Sequence, residues 1–160
     1  MKGITPMLWF DNHAQEAATF YNSIFNDSSM GETMDYIPEA AAKTGLPPGT
    51  PMTAEFELAG IKFTGLNGGP MFKFNEAVSF VVKCESQEEV DYYWSRLTAD
   101  GGEESQCGWL KDKFGLSWQV TPVRLIELMK DSDPEKVSRV TNAMMQMKKI
   151  NIADLEAAAQ

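Results

Sequence analysis

The side chains best placed to do chemistry lie in residues 114–122, FGLSWQVTP. Alternation along an extended chain puts Leu116, Trp118 and Val120 on one face and Ser117, Gln119 and Thr121 on the other. The turn Asp112-Lys113-Phe114-Gly115 starts this strand and Pro122 stops it. A strand with an apolar side and a side bearing an amide and two hydroxyls suits a ligand with a carbonyl, phenol or amide group.

Other reactive residue types are sparse. Two cysteines, Cys84 and Cys107, form neither a disulfide framework nor a Cys-x-x-Cys motif, and His13 is the single histidine. Transition-metal centres usually draw on several His or Cys ligands, so this stock disfavours one. Cys107 lacks an identifiable base, because His13 starts a helix in the other half of the chain, and it reads as an inert thiol. The pairs Glu88-Glu89 and Glu103-Glu104 read as solvated surface. Lys111-Asp112-Lys113 reads as a turn that could steer an anion.

The elements that must hold these residues fit one domain, or two small modules sharing a core, in 160 residues. A net charge of −9 argues against nucleic acid, which needs clustered Lys and Arg. No run approaches the ~18 apolar residues of a membrane span, and MKGITPMLWF has no signal-peptide core. The expectation is a cytoplasmic protein without membrane or nucleic-acid partners.

Strand patterning at 4–10 precedes an amphipathic helix at 13–25, with Ala17, Phe20, Tyr21 and Ile24 on one side. A strand at 28–37, a Pro/Gly-rich loop at 38–51 and a hairpin turning at Ala59-Gly60 follow. That loop suits a lid or a plain connection equally. Then come a strand at 77–84, a helix at 86–102 closed by a Gly pair, and two short strands, ESQCGWLKD and LSWQVTP. Glu16-Ala17, Phe20-Tyr21 and Ile24 align with Glu89-Val90, Tyr93-Trp94 and Leu97, so the pattern predicts βαβββ twice, with a period of roughly 70 residues. Residues 123–160 predict a helical tail whose stripe Val137, Val140, Met144 and Met147 packs on the sheets or on a partner subunit.

Five segments in order, FDNHAQEAATFYNSIF, FELAGIKFTGLNGGP, FNEAVSFVVKCESQEEVDYYW, CGWLKDKFGLSWQVTP and AMMQMKKINIADLEAA, span nearly the whole chain. Together they resemble the bacterial PhnB-like proteins, many of which carry the label 3-demethylubiquinone-9 3-methyltransferase. These belong to the vicinal-oxygen-chelate superfamily, with glyoxalase I and the bleomycin- and fosfomycin-resistance proteins. The resemblance implies an α+β fold in which two βαβββ modules form a cupped mixed sheet, and a homodimer. Its domain (1–122) would comprise modules 1–70 and 71–122, with 123–160 as a helical C-terminal extension.

In metal-dependent relatives four strand positions point His or Glu into the cup. By motif these fall here at Thr5, Phe63, Ser79 and Gln119, which supply neither carboxylate, imidazole nor thiolate. The implication is a cup without metal or cofactor, lined by Thr5, Met7, Trp9, Phe63, Asn67, Ser79, Ser117 and Gln119, with Cys107 and Trp109 at its rim. Trp9 and Trp109 suit a ligand wall or plain core, and Asn67 and Gln119 suit a ligand or nearby backbone groups. Methyl transfer from S-adenosylmethionine usually needs a glycine-rich turn between a strand and a helix, whereas GLNGGP (65–70) follows a hairpin strand. A turn into Pro70 explains its glycines. The leading expectation is a metal-free protein binding an aromatic or amphiphilic small molecule. The alternative is an enzyme without a metal centre: a methyltransferase, isomerase or lyase.

Overall fold

The computed structural model describes residues 3–160 as two units, one ending at Phe74 and the other running from Asn75 to Gln160. In the first, β1 (Met7–Phe10) leads to α1 (Ala14–Ile24), β2 (Ser28–Asp35), α2 (Pro38–Thr44), β3 (Pro51–Leu58) and β4 (Ile61–Asn67). In the second, β5 (Ser79–Cys84) leads to α3 (Gln87–Leu97), β6 (Glu103–Glu104), β7 (Trp109–Lys111) and β8 (Ser117–Pro122). The tail adds α4 (Val123–Leu128), α5 (Pro134–Met145) and α6 (Ile152–Ala158).

The sheets have the orders β1-β4-β3-β2 and β5-β8-β7-β6, one permutation used twice. In each, the first strand pairs parallel to the last and the other pairs are antiparallel. The repeat seen faintly in the helix patterns is therefore two mixed four-stranded sheets in an α+β fold with a helical C-terminal region. The hairpin between β3 and β4 turns at Ala59 (φ 48°) and Gly60 (φ 79°), where two successive positive φ angles match the twist of the flanking strands.

In the first unit, register decides which residues meet α1. Phe56 opposes Phe63, while Ala54 and Leu8 both pair with Gly65. These residues and Phe10 are buried, as are Ala14, Ala17, Ala18, Tyr21 and Ile24 of α1. Each large apolar side chain withdrawn from water contributes roughly 1.5–3 kcal/mol, so this layer carries much of the unit's stability. Gly65 permits the close approach, since a Cβ there would sit 3.1 Å from that of Ala14.

The start of α1 is held from outside the helix. His13, at the N-cap, makes no capping hydrogen bond with its side chain. Instead the fully buried Asn67 accepts from the Ala14 N–H at 2.8 Å. Its amide nitrogen donates to Gln15 Oε1 at 2.8 Å and to the Pro51 carbonyl at 2.9 Å. One side chain thus joins α1, the start of β3 and the end of β4.

Two sequence expectations for the second unit need correction. The helix expected over 86–102 ends at Leu97, where the Thr98 hydroxyl and N–H both donate to the Trp94 carbonyl. The Gly pair lies beyond it, in and after a short 3-10 turn at Ala99–Gly101. ESQCGWLKD is not one strand but the hairpin of β6 and β7. It bends at Cys107 (φ 58°) and Gly108 (φ 83°), where a Cβ on Gly108 would lie 2.8 Å from the Val120 carbonyl oxygen.

The tail explains this bend. The N–H groups of Cys107 and Gly108 donate to the Met147 and Lys148 carbonyls, each at 2.7 Å. Gln87 of α3 accepts from the Ile152 N–H at 2.9 Å and donates to the Ile150 carbonyl at 3.2 Å. Leu125, Leu128, Val140, Ile150 and Leu155 form a core, with Met144 and Met147 against it. The methionine stripe is spent on this packing within the second unit.

Replacing Asn67 by Ala strands the buried Ala14 N–H and the part-buried Pro51 carbonyl, at about 1–3 kcal/mol for a fully buried unsatisfied group. Urea unfolding is expected to show Asn67→Ala destabilised by at least about 2 kcal/mol. Asn67→Asp, which keeps an acceptor but loses both donations and buries a charge, is expected to recover none of it.

Candidate functional site on the second sheet

The site begins with a turn. Asp112, 2% exposed, accepts from the Phe114 and Leu116 N–H groups at 2.9 and 3.1 Å through Oδ1. Its Oδ2 accepts from the Trp118 indole N–H at 2.9 Å. Gly115 (φ 85°) completes the turn by donating to the Asp112 carbonyl. A carboxylate receiving three N–H groups fixes both the turn and the direction of Trp118.

With Trp118 committed inward, the other parity of β8 faces the opposite way. Trp109 pairs with Gln119, Lys111 with Ser117, and Ser79 with Ser117. Ser79, Trp109, Lys111, Ser117 and Gln119 therefore share one face, opposite the buried Val82, Cys84, Leu110, Trp118 and Val120. Gln119 Nε2 donates to Ser79 Oγ at 3.0 Å. Beside this pair, a hollow of about 290 Å³ is lined by Glu76, Ser105, Trp109, Leu110, Lys111 and Ser117.

Ser117 marks this hollow chemically. It is 1% exposed, and its buried Oγ has no hydrogen-bond partner among the described residues. An unpaired buried hydroxyl costs about 1–3 kcal/mol. At the rim, Lys111 Nζ lies 2.6 Å from Glu76 Oε1. The hydrogen bond from Lys111 and the Glu76 backbone N–H hold the Glu76 carboxyl below its usual range. Glu76, and more weakly Glu103, hold the Lys111 ammonium above its own.

The first sheet received five sequence expectations. Thr5 and Met7 are exposed, and Thr5 borders a separate hollow of about 280 Å³ with Ser29, Glu55, Lys62, Phe63 and Thr64, as the sequence expected of Thr5 and Phe63. Trp9 shares the face of Met7 but is already engaged. Its indole N–H donates to the Gly69 carbonyl at 2.8 Å, and Phe72 packs edge-on at 4.9 Å. Asn67 was expected on this face and lies on the other, and Phe63 borders the hollow while its ring turns to the other side. Phe63 stacks on Phe56 at 5.2 Å, and all the Asn67 bonds described above lie on the α1 side. Cys107, expected on a strand, lies in the turn before β7.

The glycine run has a structural cause different from a simple turn. A Cβ on Gly68 would stand 2.3 Å from the Trp9 ring, and the Gly68 and Gly69 N–H groups donate to the Phe10 and Asp11 carbonyls at 3.0 and 2.9 Å. Those amides are not left to cradle a cofactor. A metal is poorly served too. Ser79 and Gln119 are bonded to each other, and no three His, Cys, Asp or Glu side chains converge as a metal site among the described residues. A serine hydroxyl and an amide, without imidazole, thiolate or carboxylate, are poor ligands for zinc, copper or iron.

Asp112 and the Glu76–Lys111 pair are the contributions that sequence reasoning missed. The signal for Asp112 was an aspartate three residues before a glycine, which is a turn-forming arrangement. Nothing local announced that its carboxylate is buried.

Two matched modules, each with its parallel first and last strands, define the glyoxalase/bleomycin-resistance class, the vicinal-oxygen-chelate superfamily. Within it, this chain belongs to the 3-demethylubiquinone-9 3-methyltransferase family, whose model matches residues 2–121. The PhnB protein of Bacillus cereus, described by the same methyltransferase name, is 32% identical with a TM-score of 0.66, over 76% of this chain and 100% of that one. A Pseudomonas aeruginosa protein is 17% identical with a TM-score of 0.58, over 76% of this chain and 98% of its own. The fosfomycin resistance protein FosX of Listeria monocytogenes is 18% identical with a TM-score of 0.50, over 76% and 93%. The last two likenesses show the fold alone. No curated protein matches the chain. The family match stops short of α4, so the helical tail lies outside it.

Cys84 gives a pH test of the second unit's core. Burial, and then the Glu89 charge, push its thiol from 9.0 up to about 12. Between those values the unfolded chain has lost a proton that the folded chain keeps, so stability falls as pH rises. Wild type is expected to lose stability over that window with a slope of up to about 1.4 kcal/mol per pH unit beyond that of Cys84→Ala. Urea unfolding across the window, run in parallel on both proteins, measures it.

Proposed function

We propose that the chain is a metal-free small-molecule-binding protein that takes an aromatic or amphiphilic compound against the open face of its second sheet, as a cytoplasmic homodimer. The observation that carries this reading is the hollow on the open face of the second sheet, lined by Trp109, Lys111 and Ser117. Trp109 offers an aromatic wall, and the Gln119–Ser79 pair offers further hydrogen bonding that a ligand can enter by exchange. Sequestration asks for nothing more, neither nucleophile nor metal. The exposed apolar Val78 and Val81 near this face support pairing of two copies, and no helix among the described residues is long and apolar enough to cross a membrane.

The methyltransferase name of the family favours a second reading, an enzyme in which Ser117 and Gln119 polarise a substrate oxygen. Both readings place the ligand at the same residues, so Gln119→Ala separates them. Turnover lost with binding retained would select the enzyme. Native mass spectrometry of gently purified protein, with elemental analysis of the same sample, tests the leading reading. The expected result is a dimer without divalent metal, bare or carrying an organic adduct. One divalent metal per chain would overturn it.

A further inference from the structure

We propose that Asn67 is a modification site that only unfolding opens: released from the fold, its side-chain amide deamidates through the Gly68 nitrogen, and the chain loses the group that caps α1. Asn67-Gly68 is the chain's single Asn-Gly sequence. Glycine has no Cβ to shield its nitrogen, so an Asn before it is the one most open to attack by the next backbone nitrogen. In the step, the Gly68 nitrogen bonds to Asn67 Cγ and the Cγ–Nδ2 bond breaks. Nδ2 leaves as ammonia with the proton that the Gly68 N–H gives up. The resulting succinimide takes up one water and opens to aspartate, or to isoaspartate with its backbone running through Cγ.

The fold restrains both partners of that reaction. The Gly68 N–H donates to the Phe10 carbonyl at 3.0 Å, and the Tyr36 hydroxyl donates to the Asn67 carbonyl. The amide is fully buried and tied to Ala14, Gln15 and Pro51, so attack on Cγ requires these bonds to break. Packing dictates both residues. Asn67 supplies the external cap of α1, and a Cβ at position 68 would stand 2.3 Å from the Trp9 ring. The folded protein thus needs each half of the pair that makes the unfolded chain vulnerable. Deamidation replaces two donations with a buried charge, and isoaspartate adds a backbone carbon between β4 and the Gly68 N–H. Either product refolds less well, so unfolding becomes irreversible with time.

The test reads tryptic peptide 63–73, which holds no Asn or Gln but Asn67 and gains the mass of water less that of ammonia on deamidation. Wild-type protein is held at mildly alkaline pH, which favours loss of the Gly68 proton, either folded or in guanidinium chloride. The modified peptide is expected to form at least about a hundredfold faster in the unfolded chain, because a reaction confined to the open form follows its small population. Chains aged in denaturant are then returned to urea just below the unfolding midpoint of fresh protein and given a pulse of protease. The survivors are expected to be depleted of the modified peptide at least about tenfold relative to the sample before the pulse. Equal rates of modification in folded and unfolded protein would overturn the gating by the fold. No modification in the unfolded chain would overturn the site itself. Survivors modified as often as the starting sample would overturn the assigned loss of refolding.

Discussion

The second sheet depends on where one buried carboxylate spends its lone pairs. Asp112 binds two backbone N–H groups of its own turn and the indole of Trp118. The turn sets the register of β7 on β8, and the indole sets the parity of β8. A strand offers only two faces, so a residue anchored on one dictates the placement of its neighbours. With Trp118 drawn to Asp112, Ser117 and Gln119 must face the other way, and pairing brings Trp109 and Lys111 alongside them. A buried carboxylate is costly unless its oxygens are met by donors. Here three N–H groups meet it, which makes the turn a fixed point.

The two modules share a strand permutation and differ in what their sheets leave unpaired, the unpartnered Asn22 Oδ1 of the first lying on α1. In the first, Asn67 and Trp9 bind neighbouring backbone, and the glycines beside Trp9 are there so that its ring can settle. In the second, Ser117 has no partner, and Gln119 binds only a serine hydroxyl among the described residues. Polar groups already bonded to protein have little left for a ligand, because any new contact must first break an existing one. Chemistry therefore collects on one of two similar sheets. The same permutation with different residual polarity is how a repeated fold can carry a site in only one copy.

Much of this architecture was legible in the sequence because strand alternation is a strong signal where both faces are distinct. In LSWQVTP the apolar and polar parities separate cleanly, and the structure keeps them. KFTGLN misled for a physical reason. Its inward parity carries Phe63, Gly65 and Asn67, a ring, a glycine and an amide, which does not read as a core face. Only the packing of Ala14 against Gly65, and the need of α1 for an external cap, turn that set into an interior. The hairpin at Cys107-Gly108 was hidden for a related reason. Its cause is a pair of carbonyls about 40 residues away in the tail, and local propensity has no view of a contact at that distance.

The Glu76–Lys111 pair is an interaction of small energetic weight placed beside the open face of the second sheet. With both side chains in water, such a pair adds little to stability, and folding would barely register its loss. A ligand in the hollow changes the setting. It displaces water from beside the pair, and the field of an unbalanced charge grows as screening falls. Two residues flanking one sheet thus differ in weight: Asp112, in the turn after β7, is buried and holds the strands, whereas Glu76, in the loop before β5, is exposed and meets what approaches the open face.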